Sequence, residues 1–150
     1  MLEQIDVFTP SEASCALELA DLALDDPEGS GYRALIAQDG ELGLVGYLSY
    51  GETPLTQGTY DLYWIACAPK ARGKGAGRLL VAEMENELRQ KGARQVRVET
   101  SALTEYGPAR AFYASLAYRE VARLKDFYRP GDDLVVLAKR LLFQSSQQSR

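Results

Sequence analysis

With 150 residues, 46% of them hydrophobic and 25% charged, the chain can build one core of ordinary size and needs no second domain. No apolar run approaches the length of a membrane span and no basic-then-apolar leader opens the sequence, so we expect no membrane segment and a cytoplasmic protein; the absence of histidine removes Ser-His-Asp and Cys-His catalysis and every His-dependent metal site. The net charge of −4 divides into −11 over residues 1–69 and +7 over residues 70–150, and positive charge this modest, with no aromatics interleaved, argues against nucleic acid as a partner.

Residues 2–8 read as a first strand, with Ile5 and Val7 alternating against Gln4 and Asp6. Thr9-Pro10-Ser11 then opens a helix capped by Ser11, whose Leu17, Ala20 and Leu24 recur at helical spacing until Asp25-Asp26-Pro27-Glu28-Gly29 ends it. Residues 32–38 and 42–51 flank Asp39-Gly40, a dipeptide that tolerates φ > 0 at both central positions of a hairpin turn. Thr59–Cys67 is a further strand. Cys15 and Cys67 have no partner at metal-ligand spacing, so they read as buried thiols and no metal site is expected.

Residues 64–78, WIACAPKARGKGAGR, set an apolar strand, a Gly-rich basic loop and a helix start in succession. Gly73, Gly75 and Gly77 lack Cβ, so the loop can turn consecutive N–H groups toward one point at the positive end of the following helix. Arg72, Lys74 and Arg78 surround the same point with positive charge, and a diphosphate is the anion that fits. A Walker A loop is excluded because Lys74 is followed by Gly75 rather than Ser or Thr. A dinucleotide fingerprint is excluded because the position three after Gly75 holds Arg78. A plain Gly-rich turn with solvated charges is the alternative. The charge asymmetry agrees with a phosphate site: a basic second half suits a polyphosphate cofactor and an acidic first half a cationic acceptor. Glu12, Glu18, Asp21, Asp25 and Asp26 are equally the wet side of a surface helix.

Past the loop, Leu80, Met84 and Leu88 recur at i, i+4, i+8, while the i,i+4 pairs Glu85/Arg89 and Glu87/Lys91 are assigned to the opposite side, and Gly92 closes the helix. Residues 95–100 alternate Val96 and Val98 against Arg97 and Glu99, completing a βαβ unit over residues 59–100. Pro108 is placed at the first position of a helix whose Ala109, Phe112, Tyr113 and Leu116 form one face. Residues 118–128 and 134–142, separated by residues 129–133, read as a closing hairpin, and residues 144–150 as a polar, disordered tail.

The Gly-rich loop resembles the acetyl-coenzyme A signature of the GCN5-related N-acetyltransferases (GNAT), Arg/Gln-x-x-Gly-x-Gly/Ala, met here by Arg72, Gly75 and Gly77. Ala109-x-x-x-Tyr113-x-x-Leu116-Ala117-Tyr118 is similar to a second motif of that family, Ala-x-x-x-Tyr-x-x-x-Gly-Phe/Tyr. The resemblance extends over roughly residues 30–143. It implies an α/β fold of mixed α+β type: a single acyl-CoA N-acyltransferase domain over residues 1–143, with a mixed, mostly antiparallel central sheet of six or seven strands flanked by helices, in the order β-α-β-β-β-α-β-α-β-β. It also implies acetyl-CoA as cofactor, without a metal, and transfer of acetyl to a primary amine by direct attack in a ternary complex. Carried onto this sequence, the pyrophosphate lies on the backbone of Arg72, Gly73, Lys74, Gly75, Ala76, Gly77 and Arg78. The pantetheine arm runs beside Ile65, Ala66 and Cys67, where the family's central strands splay and an amide at Ile65 or Ala66 faces the thioester oxygen. The resemblance makes Tyr113 the general acid for the departing thiolate; a satisfied buried tyrosine on an apolar helix face is the competing account. Asp61, Glu99 and Glu105 are the candidate bases, Glu99 first because its strand end should adjoin the splay, with water as the alternative.

Three features depart from the family pattern. Tyr106 stands where an asparagine is frequent. Ala117 stands where glycine is usual, at a cost of about 1 kcal/mol if that position needs φ > 0. The loop over residues 101–107 is longer than in protein-acetylating relatives, which weakens the case for ribosomal-protein or N-terminal acetylation. Tyr106, Phe127, Tyr128 and the Tyr60/Tyr63/Trp64 cluster are candidates for an acceptor pocket wall. A protein or peptide acceptor and a non-catalytic acyl-CoA-binding sensor stay open, and homodimers are frequent among such domains.

Overall fold

The computed structural model describes residues 31–40, 43–68 and 75–141. The expected strand over residues 2–8, the helix after Ser11 with Cys15, the loop residues Arg72, Gly73 and Lys74, and the tail over residues 144–150 lie outside the described residues. The elements run β1 (Tyr32–Asp39), β2 (Gly43–Glu52), β3 (Thr59–Cys67), α1 (Ala76–Gln90), β4 (Gln95–Ser101), a 3-10 turn (Thr104–Tyr106), α2 (Gly107–Ser115), β5 (Arg119–Arg129) and β6 (Asp132–Arg140). This order reproduces the last eight elements of the expected ten. The described strands form one six-stranded sheet in the order β1-β2-β3-β4-β6-β5. Every pair is antiparallel except β3–β4. A parallel pair cannot be joined by a tight turn, and α1 supplies the crossover.

The core forms where α1 lies on the sheet. Leu80, Val81, Met84 and Leu88 bury one helix face in a cluster with Leu48, Tyr50, Leu62, Val96, Val98, Val135 and Leu137. Each fully buried large aliphatic chain contributes about 2 kcal/mol. The expected alternation on β4 is present, with Val96 and Val98 in this core. Glu85 differs from its sequence assignment: it is 5% exposed rather than on the solvent side. Its burial is tolerated because Tyr118 and Lys139 reach it with hydrogen bonds of 2.9 and 2.8 Å, contacts that no helical periodicity reveals.

Both helices end in the same way. In α1, Ala93 N–H donates to Leu88 O (2.9 Å) and Gly92 N–H to Arg89 O (3.1 Å), with Gly92 at φ +79°, which is a Schellman end. In α2, Tyr118 N–H donates to Tyr113 O (3.0 Å) and Ala117 N–H to Ala114 O (3.1 Å), with Ala117 at φ +72°. The alanine therefore occupies a position that favours glycine. Helix α2 begins at Gly107, one residue before the expected Pro108, because the turn Thr104–Tyr106 runs directly into it. The closing hairpin is tighter than expected: Arg129 pairs with Asp132, leaving Pro130-Gly131 as the turn, with Gly131 at φ +84°. Proline then glycine at the two central positions suits a type II turn, so Asp132 and Asp133 join β6.

Candidate active site

Three rungs hold β3 and β4 together: Thr59 opposite Gln95, Tyr60 opposite Val96 and Asp61 opposite Arg97. Beyond them β3 continues along β2 as far as Cys67, and β4 along β6 as far as Ser101. The two strands thus form a fork, with a backbone edge of each unpaired toward the other past Leu62. A register shift between Ser49 and Tyr50, opposite Trp64 and Leu62, accompanies the divergence, since a bulge bends and twists its strand. The closed end is braced by side chains. Gln95 Nε2 donates to Thr59 Oγ1 (3.0 Å), Arg97 Nε to Asp61 Oδ1 (2.7 Å), and Arg97 Nη1 lies 3.2 Å from Glu99 Oε1. Ala68 N–H donates to Val45 O (2.9 Å); by the alternation of an antiparallel ladder, Ala66 also turns its amide to β2, and the amides of Ile65 and Cys67 face the fork.

The N-terminus of α1 stands at the open end of β3. Its N-cap, Gly75, sits at φ +83°, offers no side-chain cap, and no acidic residue occupies the first turn. The first N–H groups of the helix have no intrahelical partner and lie at its positive pole. Among the described residues, an added Cβ at Gly75 would meet nothing within 4 Å, whereas one at Gly77 would meet the Phe112 ring at 3.1 Å and Cys67 Sγ at 3.7 Å. Gly75 is therefore required by backbone conformation, and Gly77 by the close approach of α2. Ala76 is buried with Val45 and Ala68, against which Cys67 packs. Arg78 is exposed and donates to Ser115 Oγ (3.0 Å), tying the first turn of α1 to the end of α2.

Tyr113 is 5% exposed, with its ring edge-on to Phe112 and Tyr118 at centroid distances of 5.4 and 5.8 Å. Burial alone pushes its phenol well above the usual tyrosine range. Among the proposed bases, Glu99 is exposed and paired with Arg97, Asp61 is buried against the same guanidinium, and Glu105 lies exposed in the 3-10 turn. The fork thus brings Asp61, Arg97 and Glu99 together; Arg97 was not singled out as a site residue because only strand register shows that it bridges two carboxylates. Of the proposed acceptor-wall aromatics, Tyr63 meets Tyr32 edge-on at 5.2 Å and Phe127 meets Tyr128 at 5.0 Å. A depression of about 320 Å³ lined by Glu52, Gln57, Tyr60, Lys91 and Arg94 lies at the closed end of the fork, by the C-terminus of α1; of the proposed acceptor-wall aromatics it includes Tyr60. Among the described residues, no helix is long and apolar enough to cross a membrane.

Residues 2–118 match the model of the Acetyltransferase (GNAT) family. A crystal structure of a protein from Desulfovibrio desulfuricans, described as an acetyltransferase of the GNAT family, aligns with a TM-score of 0.89 at 41% identity, covering 94% of this chain and 88% of that one. The ribosomal-protein-S18-alanine N-acetyltransferase from Escherichia coli aligns with a TM-score of 0.70 at 20% identity, over 97% and 86% of the two chains. An aminoglycoside 6'-N-acetyltransferase complexed with coenzyme A aligns at 0.66 and 18%, over 95% and 98%. At these last identities the likeness is one of fold. A search of curated proteins found no match. The forked sheet beside a glycine-capped helix, the match over residues 2–118 and the 41%-identical structure converge: the chain belongs to the GNAT family of acetyltransferases.

Proposed function

We propose that this chain, acting in the cytoplasm, transfers an acetyl group from acetyl-CoA to the primary amine of a small molecule within a ternary complex. The observation that carries the reading is the opening of the β3–β4 fork beside the uncapped N-terminus of α1. An extended arm ending in a diphosphate needs an unpaired strand edge followed by a cluster of N–H donors, and these two features supply them in that order.

When bound, acetyl-CoA supplies the activated acetyl thioester. Arg72, Gly73, Lys74, Gly75, Ala76, Gly77 and Arg78 would hold the diphosphate, with Ile65, Ala66 and Cys67 beside the arm. Of the two amides considered for the thioester oxygen, that of Ile65 is the one facing the fork. Tyr113 keeps its proton throughout the physiological range because burial disfavours its phenolate, so it is a standing donor toward a departing sulfur. Glu99, the more exposed of the two carboxylates on Arg97, takes the proton of the acceptor ammonium directly or through water.

The test is calorimetric titration with acetyl-CoA, followed by thiol detection with a panel holding tyramine, spermidine, an aminoglycoside and an alanine-ended peptide. Micromolar binding and turnover of a small amine is the expected result. Turnover of the peptide alone would replace the small-molecule acceptor by a protein; binding without any turnover would leave an acyl-CoA sensor; no binding would overturn the reading.

A further inference from the structure

Among the described residues Tyr113 has no polar anchor of its own. It is buried, and its hydroxyl has no hydrogen-bond partner among the described residues, so the ring is held by its neighbours. Phe112 adjoins it on the same helix. Tyr118, on the other side, is fixed from outside α2. Its hydroxyl donates to Glu85 Oε2 on α1 (2.9 Å), while Glu85 Oε1 accepts from Lys139 Nζ on β6 (2.8 Å) and lies 3.5 Å from Arg89 Nη2. The Lys139 ammonium also stands 5.6 Å from the centre of the Tyr118 ring. Three elements therefore converge on one buried carboxylate.

Stability alone is a weak account of this arrangement. A buried ion pair can be exchanged for apolar side chains of similar volume at little cost and sometimes with a gain. What apolar packing lacks is direction. Tyr113 and Tyr118 are the two residues whose backbones close the Schellman end of α2, and the pair is set by the fold as a unit. Fixing the Tyr118 hydroxyl to α1 and β6 prevents that unit from sliding along the core.

We propose that Glu85 is a positioning residue for acetyl transfer: by holding the Tyr118 hydroxyl it fixes the ring against which Tyr113 is set. The inference rests on the reading of Tyr113 as the proton donor. Glu85 itself need not touch the reacting groups; its effect passes through Tyr118.

The experiment is a double-mutant cycle with acetyl-CoA and hydroxylamine, which is unprotonated at neutral pH and small enough to need no shaped acceptor pocket. Tyr118→Phe keeps the ring and deletes the anchor; Glu85→Gln weakens it from the other side, and a thermal melt confirms folding of each. The expected result is a fall in kcat of about tenfold for each, with KM for acetyl-CoA unchanged and no further fall in a Tyr113→Phe background. If Tyr113→Phe lowers kcat but the other changes do not, or their losses persist undiminished in its background, the inference is overturned and the role of Tyr113 stands. If Tyr113→Phe leaves kcat unchanged, both are overturned. No turnover by the unsubstituted protein with hydroxylamine or with any amine of the panel above would overturn acetyl transfer itself. Should Glu85→Gln fail to fold, Tyr118→Phe carries the cycle.

Discussion

Two glycines in one short loop do different physical work, and substitution separates them. Gly75 sits at φ +83° with no described atom within 4 Å of where a Cβ would lie, so Gly75→Ala should cost about 1 kcal/mol through backbone strain. Gly75→Asn should recover much of that loss, because asparagine tolerates the left-handed region. Gly77 is helical, and an added Cβ meets the Phe112 ring at 3.1 Å. Alanine there would gain about 1 kcal/mol of helix propensity, offset by the contact, whereas Gly77→Val has to displace Phe112 and should lower the melting temperature clearly. Thermal melts of the four variants check the pattern, and a Gly75→Asn protein melting below Gly75→Ala would contradict it. Ala117 is the reverse case. Its φ of +72° leaves alanine strained at the end of α2, and Ala117→Gly should stabilise the protein by about 1 kcal/mol, read from urea unfolding. A destabilised glycine variant would mean that unfolded-chain entropy outweighs the relieved strain.

At the scale of elements, the fork depends on where β3 and β4 stop pairing. Asp61 and Arg97 are the last rung, and Arg97 joins Asp61 to Glu99. Removing the guanidinium leaves a buried carboxylate without its 2.7 Å partner, and Arg97→Met should destabilise by about 2 kcal/mol. Adding Asp61→Asn to that variant should restore part of the loss, because the unpaired buried charge is then gone. Chemical denaturation of the two proteins measures this, and equal stabilities would show that the pair contributes through packing rather than charge. The alternation of β4 and the amphipathic spacing of α1 were readable because each is a local period. The burial of Glu85 was not, since its partners lie 33 and 54 residues away on elements whose docking no local pattern encodes. The tight Pro130-Gly131 turn was read too long because Asp132 and Asp133 carry turn chemistry, yet Asp132 is buried and accepts from Ser101 Oγ on β4.

For the whole molecule, three buried tyrosines tie stability to alkaline pH. Burial raises the phenols of Tyr113 and Tyr118, with Glu85 adding to the second, and burial followed by the Glu87 hydrogen bond raises Tyr50. The unfolded chain releases these protons near pH 10 while the folded chain keeps them. Their contribution is fully present below about pH 10 and declines as pH rises above it, because the unfolded state then binds fewer protons than the native state. Urea midpoints at pH 8, 10 and 11 should be level at first and then fall, with a shallower fall for Tyr50→Phe. A midpoint that stays level to pH 11 would contradict it.

The family and the strand and helix succession from residue 32 onward were legible in the amino-acid sequence, because turn chemistry, local periodicity and two short motifs act within a few residues of chain. The sequence also marked Ala117 as a position where the sign of φ matters. Only the tertiary structure decided the rest. It showed that Gly77 is small for Phe112, that Arg97 bridges Asp61 and Glu99, and that Glu85 is drawn into the core by Tyr118 and Lys139. Each of these depends on strand register or helix docking, which are settled by the summed packing of distant segments.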